Sequence, residues 1–204
     1  MRERTIASHF ARAATGGARR LGHDYSGLLQ ALGINPEWLD EPRARIAPEQ
    51  FSALLQGLWL ALDDEYLGLA QGVSKRGTFA MMCHALIHCA NLEKAFSRGL
   101  LFYSLFPDSP RLSLSREDEW VRLSLDDSQL SDPDHFLSEC LLVTWHRLGS
   151  WLIGQRIRLE QASFSYAKPA HGAEYELLFA CPLAFDAQRT SLLFHRRYLG
   201  MPLL

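Results

Sequence analysis

Residues 111–126 read RLSLSREDEWVRLSLD, and this stretch decides the fold class. Leu112 and Leu114 alternate with serines, and Val121, Leu123 and Leu125 alternate with polar residues. A period of two puts every apolar side chain of a strand on one face, and the acidic run 117–119 between the two halves supplies a turn. The stretch is therefore read as a β-hairpin. Its neighbours on both sides follow the helical period instead, so strands and helices are segregated along the chain and an α+β fold is expected.

Upstream, residues 48–62 form the clearest helix. Pro48 suits a first turn, and Phe51, Leu54, Leu55, Leu58 and Leu62 recur at helical spacing. A second helix, 78–90, carries Phe79, Met82, Leu86 and Ala90 on one face. Asn91 caps a third, 92–106, which Pro107 and Pro110 terminate. Shorter pieces precede these. A helix from Tyr25 carries Leu28, Leu29 and Leu32 and stops at Gly33, a helical turn spans Pro36–Leu39, and residues 41–48 form a loop. EYLGLAQG, 65–72, is read as a short helix. Residues 1–20 are polar, small and Arg-rich and are read as a mobile end or a short helix, and 1–24 are set apart as an N-terminal segment expected to be mobile.

Downstream, Asp132-Pro133 is read as the N-cap and first residue of a long helix reaching Gly154. Residues 157–166 are a strand in which Ile157 and Leu159 share one phase and Ala162, Phe164 and Tyr166 the other, which implies a bulge near Glu160–Gln161. A short helix, 174–180, and short strands at 182–186 and 191–195 complete the chain. The expected architecture is an N-terminal helical layer packed on a small antiparallel sheet, with one long helix inserted.

Composition narrows the function classes. Of 204 residues, 48% are hydrophobic and 22% charged, the balance of an ordinary globular chain able to bury a real core. The net charge of -2 argues against a free-standing nucleic-acid binder, which is usually basic. The opening MRERTIASHFARAA has no long apolar core after its charges and no apolar run is long enough for a membrane span, so no signal peptide, a cytoplasmic location and no membrane partner are expected. Cys83, Cys89, Cys140 and Cys181 form no CxxC pair and sit in apolar surroundings, as reduced core thiols do.

Three functions are open to such a chain. His84 and His88, four residues apart on the 78–90 helix, would share a face and could hold a metal or heme, but no third ligand stands at helical spacing. A hydrolase would need an activated nucleophile; Cys83, Cys140 and Cys181 look like small core residues, and no GxSxG, HExxH or P-loop spacing occurs. Acidic pairs at Asp63-Asp64, Glu117-Asp118-Glu119 and Asp126-Asp127 fall at element ends, where solvated charge is expected. No cofactor is expected. The third possibility is a binding site. A helical layer resting on a small sheet leaves an apolar pocket between them, and Phe79, Met82, Leu86, Phe102, Trp120, Trp145 and Phe164 are the residues expected to line it.

The C-terminal segment FSYAKPAHGAEYELLFACPLAFDAQRTSLLFHRRYLGMPL, with Phe164, Pro169, His171, Tyr175, Phe179, Pro182, Phe185, Phe194, Leu199 and Pro202, resembles the closing segment of the "arabinose-binding" N-terminal domain of AraC-type bacterial transcription regulators. The opening LLQALGINPEWLDEPRARIAPEQFSALL and the blocks DDEYLGLAQG and RGTFAMMCHALIHCANLEKAF are similar to the same family, so the resemblance covers roughly residues 25–204. His84, His88 and the neighbouring cysteines are not part of it.

The resemblance implies a non-enzymatic sensor: 25–204 would be an effector-binding and dimerisation domain for a small organic effector. DNA would be bound only through a C-terminal part with two helix-turn-helix units. The sequence stops at MPLL, where that part would begin, and no such pattern is found within it. The expected dimer surface is the 133–154 helix, with Trp145 and Trp151 as anchors.

Overall fold

The computed structural model describes residues 5–204 and contains the α+β fold. It divides into two compact units. One comprises the chain up to Thr78 together with Leu130–Leu137; the other comprises Phe79–Gln129 and Ser138–Leu204.

The first unit is mainly helical. Strand β1 (Ile6–Ala7) leads directly into helix α1 (Ser8–Arg20), followed by α2 (Ser26–Ala31), a single 3-10 turn at Pro36–Leu39, strand β2 (Arg45–Ile46) and helix α3 (Pro48–Leu62). Of the two readings for residues 1–20, the described part takes the helix: Ala11, Ala14 and Ala18 of α1 are buried. Within 41–48, read as loop, Arg45 and Ile46 pair antiparallel with Ala7 and Ile6. Helix α3 has the bounds its periodicity gave. Its Gln50 side chain accepts from the Ala47 N–H at 3.0 Å, satisfying one of the donors that a helix start leaves open.

Residues 65–72 are not a helix. The Asp64 carboxyl group accepts from the N–H groups of Tyr66, Gly68 and Ser74 at 2.9, 2.8 and 2.8 Å, folding the chain into a turn around itself. Leu67 and Gly68 both take left-handed conformations, with φ of 58° and 69°, which no helix accommodates. Asp64 is 3% exposed, so it is a buried structural acid and not the solvated charge its place at a helix end suggested.

The second unit holds the sheet. Helices α4 (Thr78–Leu86) and α5 (Leu92–Ser104) precede the hairpin of β3 (Arg111–Glu117) and β4 (Trp120–Asp126). Then come α6 (Phe136–Leu152), β5 (Leu159–Ser163), α7 (Gly172–Phe179), β6 (Leu183–Ala184) and β7 (Thr190–His195). The five strands run in the order β3-β4-β7-β5-β6, antiparallel throughout except for the parallel pair β5–β6. The bulge expected near Glu160–Gln161 lies between Leu159 and Gln161.

Two helices are shorter than their apolar spacing implied. Helix α4 ends at Leu86, and a tight turn closed by Cys89 N–H on Leu86 O at 2.8 Å leads to Asn91. Helix α6 begins at Phe136, because Asp132-Pro133 makes a turn closed by His135 N–H on Asp132 O, with His135 left-handed at φ 58°.

The core of this unit is formed by Met82, Leu86, Phe96, Val121, Leu123, Trp145, Leu152 and Phe194, all nearly inaccessible. The chain end is tied into it. Leu92 and Glu93, at the start of α5, donate to Met201 O and Leu199 O at 3.0 and 2.9 Å, and Lys94 N–H donates to the Asn91 side chain at 3.0 Å. Among the described residues no helix is long and apolar enough to cross a membrane.

Candidate functional site

The residues expected to line a pocket fall in three places of the second unit. Met82, Leu86 and Trp145 lie in the packed core, with Phe79 and Phe102 half-buried against it. Trp120 sits at the start of β4 with its ring 5.5 Å from that of His195. Phe164 belongs to a separate aromatic group. Around Trp145 the packing is closed: a Cβ added at Gly99 would come within 2.7 Å of its ring. Trp145 is 2% exposed and Trp151 66%, so of the two expected dimer anchors Trp145 is a core residue and only Trp151 reaches the surface.

The aromatic group around Phe164 surrounds a buried polar cluster that the sequence reading did not identify. Glu139 projects from the first turn of α6 and is 3% exposed. Tyr175 of α7 donates its hydroxyl to Glu139 Oε1, and His171 Nε2 lies 3.1 Å from the same oxygen. Tyr166 Oη lies 3.0 Å from Tyr175 Oη. The Phe164 and Phe185 rings pack on Tyr175, with centroids 4.8 and 5.6 Å from it. Burial first, then the nearby Glu139, pushes the Tyr175 phenol far above its ordinary range, so it stays protonated and acts as a donor. A buried polar group is tolerable only when partnered; this cluster therefore fixes α7 to α6. A glutamate inside the apolar run FLSECLLV was the available signal for it.

A surface cleft of about 1100 Å³ opens on this unit, lined by none of the expected residues. Leu159, Phe179 and Met201 give it an apolar floor, while Gln155, Arg156, Arg158 and Arg197 surround it. Tyr198 stands among them, its hydroxyl accepting from Arg158 N–H at 3.2 Å and from Arg197 Nη2 at 3.3 Å. The Arg197 guanidinium also lies 5.0 Å from the centroid of the Tyr198 ring. Gln155 Nε2 approaches Met201 Sδ at 2.7 Å, joining the loop after α6 to the chain end. Arg156 and Arg158 flank the buried Ile157, and that alternation was the sequence signal for two outward guanidinium groups.

The enzymatic and metal readings gain little from the geometry. His84 and His88 are both exposed, and because α4 ends at Leu86 they do not share a helical face. Among the described residues no three His, Cys, Asp or Glu side chains gather to hold a metal ion. Burial pushes the Cys181 thiol up, which makes it a poorer nucleophile. Glu117 is held by Arg122 at 2.7 Å, and that hydrogen bond brings its pKa below the ordinary carboxylate value.

The family model described as "Arabinose-binding domain of AraC transcription regulator, N-term" matches residues 22–203. A similar protein is the Ornithine utilization regulator of Pseudomonas aeruginosa, 26% identical over 181 residues, which are 86% of this chain and 52% of the relative. Among solved structures, the transcriptional regulator CdpR from Pseudomonas aeruginosa aligns with a TM-score of 0.47 at 16% identity, covering 87% of this chain and 55% of that one. The chain thus spans about half the length of the curated relative it matches.

Proposed function

The chain belongs to the family of arabinose-binding N-terminal domains of AraC transcription regulators, and from that premise we propose that it senses a small organic effector and dimerises. The observation that carries this reading is the family match over residues 22–203, nearly the whole chain. The relative's name ties its regulation to the use of ornithine, a molecule of metabolite size, and an effector of that size suits a cleft such as the one beside Arg158. Of the residues first expected to touch the effector, none lines that cleft, and Phe79, Phe102 and Trp120 are the partly exposed aromatics among them.

The mechanism is a shift of population, not catalysis. An effector that binds one arrangement of two protomers better than another displaces the equilibrium by that difference in affinity and by no more. Trp151, on the outer face of α6, is the surface we assign to the second copy, because a large exposed aromatic is costly to leave in water and is a frequent interface anchor. DNA is contacted through a further part of the regulator. The protein works in the cytoplasm, where its free thiols stay reduced.

The test is a thermal-shift screen of the purified chain against small organic metabolites. One chemical class is expected to raise the melting temperature saturably, since a ligand at about 100 times its Kd adds roughly 2.7 kcal/mol of stability. A screen in which no compound stabilises the chain, or in which the stabilising compound is consumed, contradicts the reading.

A further inference from the structure

The cleft beside Tyr198 is lined by charge of one sign. The sequence carries 23 acidic and 21 Lys and Arg side chains, so an average surface region mixes both signs. Here Arg156, Arg158 and Arg197 line one concavity, and no carboxylate lines it with them. Among the described residues none of the three makes an ion pair. Three like charges around one opening repel one another, and an oxyanion placed between them would relieve that repulsion while accepting paired N–H bonds from a guanidinium fork.

The wall around Tyr198 is held in place before any ligand arrives. Arg197 is drawn against Tyr198 by a hydrogen bond and by stacking over its ring, and the Arg158 N–H donates to the same hydroxyl. The hydroxyl oxygen already feels the field. Burial alone would push the Tyr198 phenol up, yet its hydrogen bonds to Arg197 and to the Arg158 backbone, with the charges of both arginines, bring it below its ordinary value. The floor is apolar, formed by Leu159, Phe179 and Met201. A concave site with an apolar floor and a few convergent polar groups suits a small molecule. A duplex backbone would instead call for a broad convex basic face and a basic chain.

We propose that this cleft binds a small organic molecule carrying an oxyanion, carboxylate or phosphate, with the guanidinium groups of Arg156, Arg158 and Arg197 on the anion and its carbon skeleton over Leu159 and Phe179. The proposal rests on the sensor reading for its purpose but not for its test.

The experiment is an amide NMR titration of the whole chain with benzoate, phenyl phosphate and benzamide at constant ionic strength. Saturable shifts confined to residues 155–159 and 197–201 are expected with benzoate or phenyl phosphate, and which of the two binds more tightly names the oxyanion. Benzamide, neutral and of the same shape as benzoate, is expected to leave these signals in place. Arg156→Gln, Arg158→Gln and Arg197→Gln should each weaken binding about tenfold or more, with the melting temperature unchanged in the first two. The proposal is overturned if neither anion saturates these signals, if benzamide matches them, or if the arginine variants bind as the parent does. It is also overturned if only a DNA duplex perturbs the cleft. If an effector from the thermal-shift screen binds the Arg158→Gln and Arg197→Gln variants unchanged, the cleft assignment fails and the sensor reading stands.

Discussion

At the scale of single residues, the informative positions are polar groups that the fold has taken out of water. His146, on α6, is 5% exposed, with Nε2 2.8 Å from the Ile157 carbonyl oxygen. Burial above all, helped by the charges of Arg147 and Arg156, pushes its pKa below the ordinary 6.5. The folded state therefore keeps the imidazole neutral while the unfolded chain takes up a proton as the pH falls through about 6.5. Its contribution is undiminished above that pH and declines below it, by at most about 1.4 kcal/mol per unit, until the folded group also protonates. Denaturation at pH 7 and at about pH 5.5 should show a loss of stability on acidification that is smaller in His146→Gln, whose amide still donates to Ile157 O but cannot titrate. An equal loss in both proteins would mean that other groups carry it. Sequence reasoning named His171 and Tyr175 only through a family pattern, because their partner Glu139 is 32 and 36 residues away and no local spacing predicts such a pair.

Elements were legible where their rule is local. The β3–β4 hairpin, the bounds of α3, the Asn91 cap and the bulge in β5 each depend on neighbours within a few residues, and each stands where the periodicity placed it. Elements were misread where a side chain competes with the helix for backbone N–H groups, as Asp64 does across 66–74, or where a left-handed residue intervenes, as His135 does before α6. Helix α1 was ambiguous because its buried face is built of alanine and glycine, which give little apolar contrast. Gly17 in that helix looks like a weak point and is a requirement: a Cβ there would overlap the Leu67 carbonyl oxygen, whereas one at Gly16 would meet Leu69 Cδ2 at an ordinary 3.9 Å. Replacing a helical glycine by alanine is worth about 1 kcal/mol in propensity. Gly16→Ala should gain part of that, and Gly17→Ala should lose about 1–3 kcal/mol through overpacking. Chemical denaturation of the pair checks this, and equal gains would show that α1 does not lie so close to the 64–69 turn.

For the whole molecule, the α+β class followed from one change of period at residue 111, but the division into two units did not. The segment Leu130–Leu137 returns to the first unit after the hairpin, and no composition shift marks either crossing. The candidate site was the least legible part, for a physical reason. Large aromatics such as Trp145 signal burial wherever they occur, so they name the core as readily as a pocket, whereas the arginines around the cleft are ordinary surface residues until the fold gathers them. The central claim is that this chain is a dimerising sensor. Native mass spectrometry of the purified chain, with and without a stabilising compound from the screen, tests it most directly. The account predicts a mass of two copies that takes up the compound and carries no metal. A monomer holding a stoichiometric metal or heme, lost when His84 and His88 are both replaced by alanine, would contradict it.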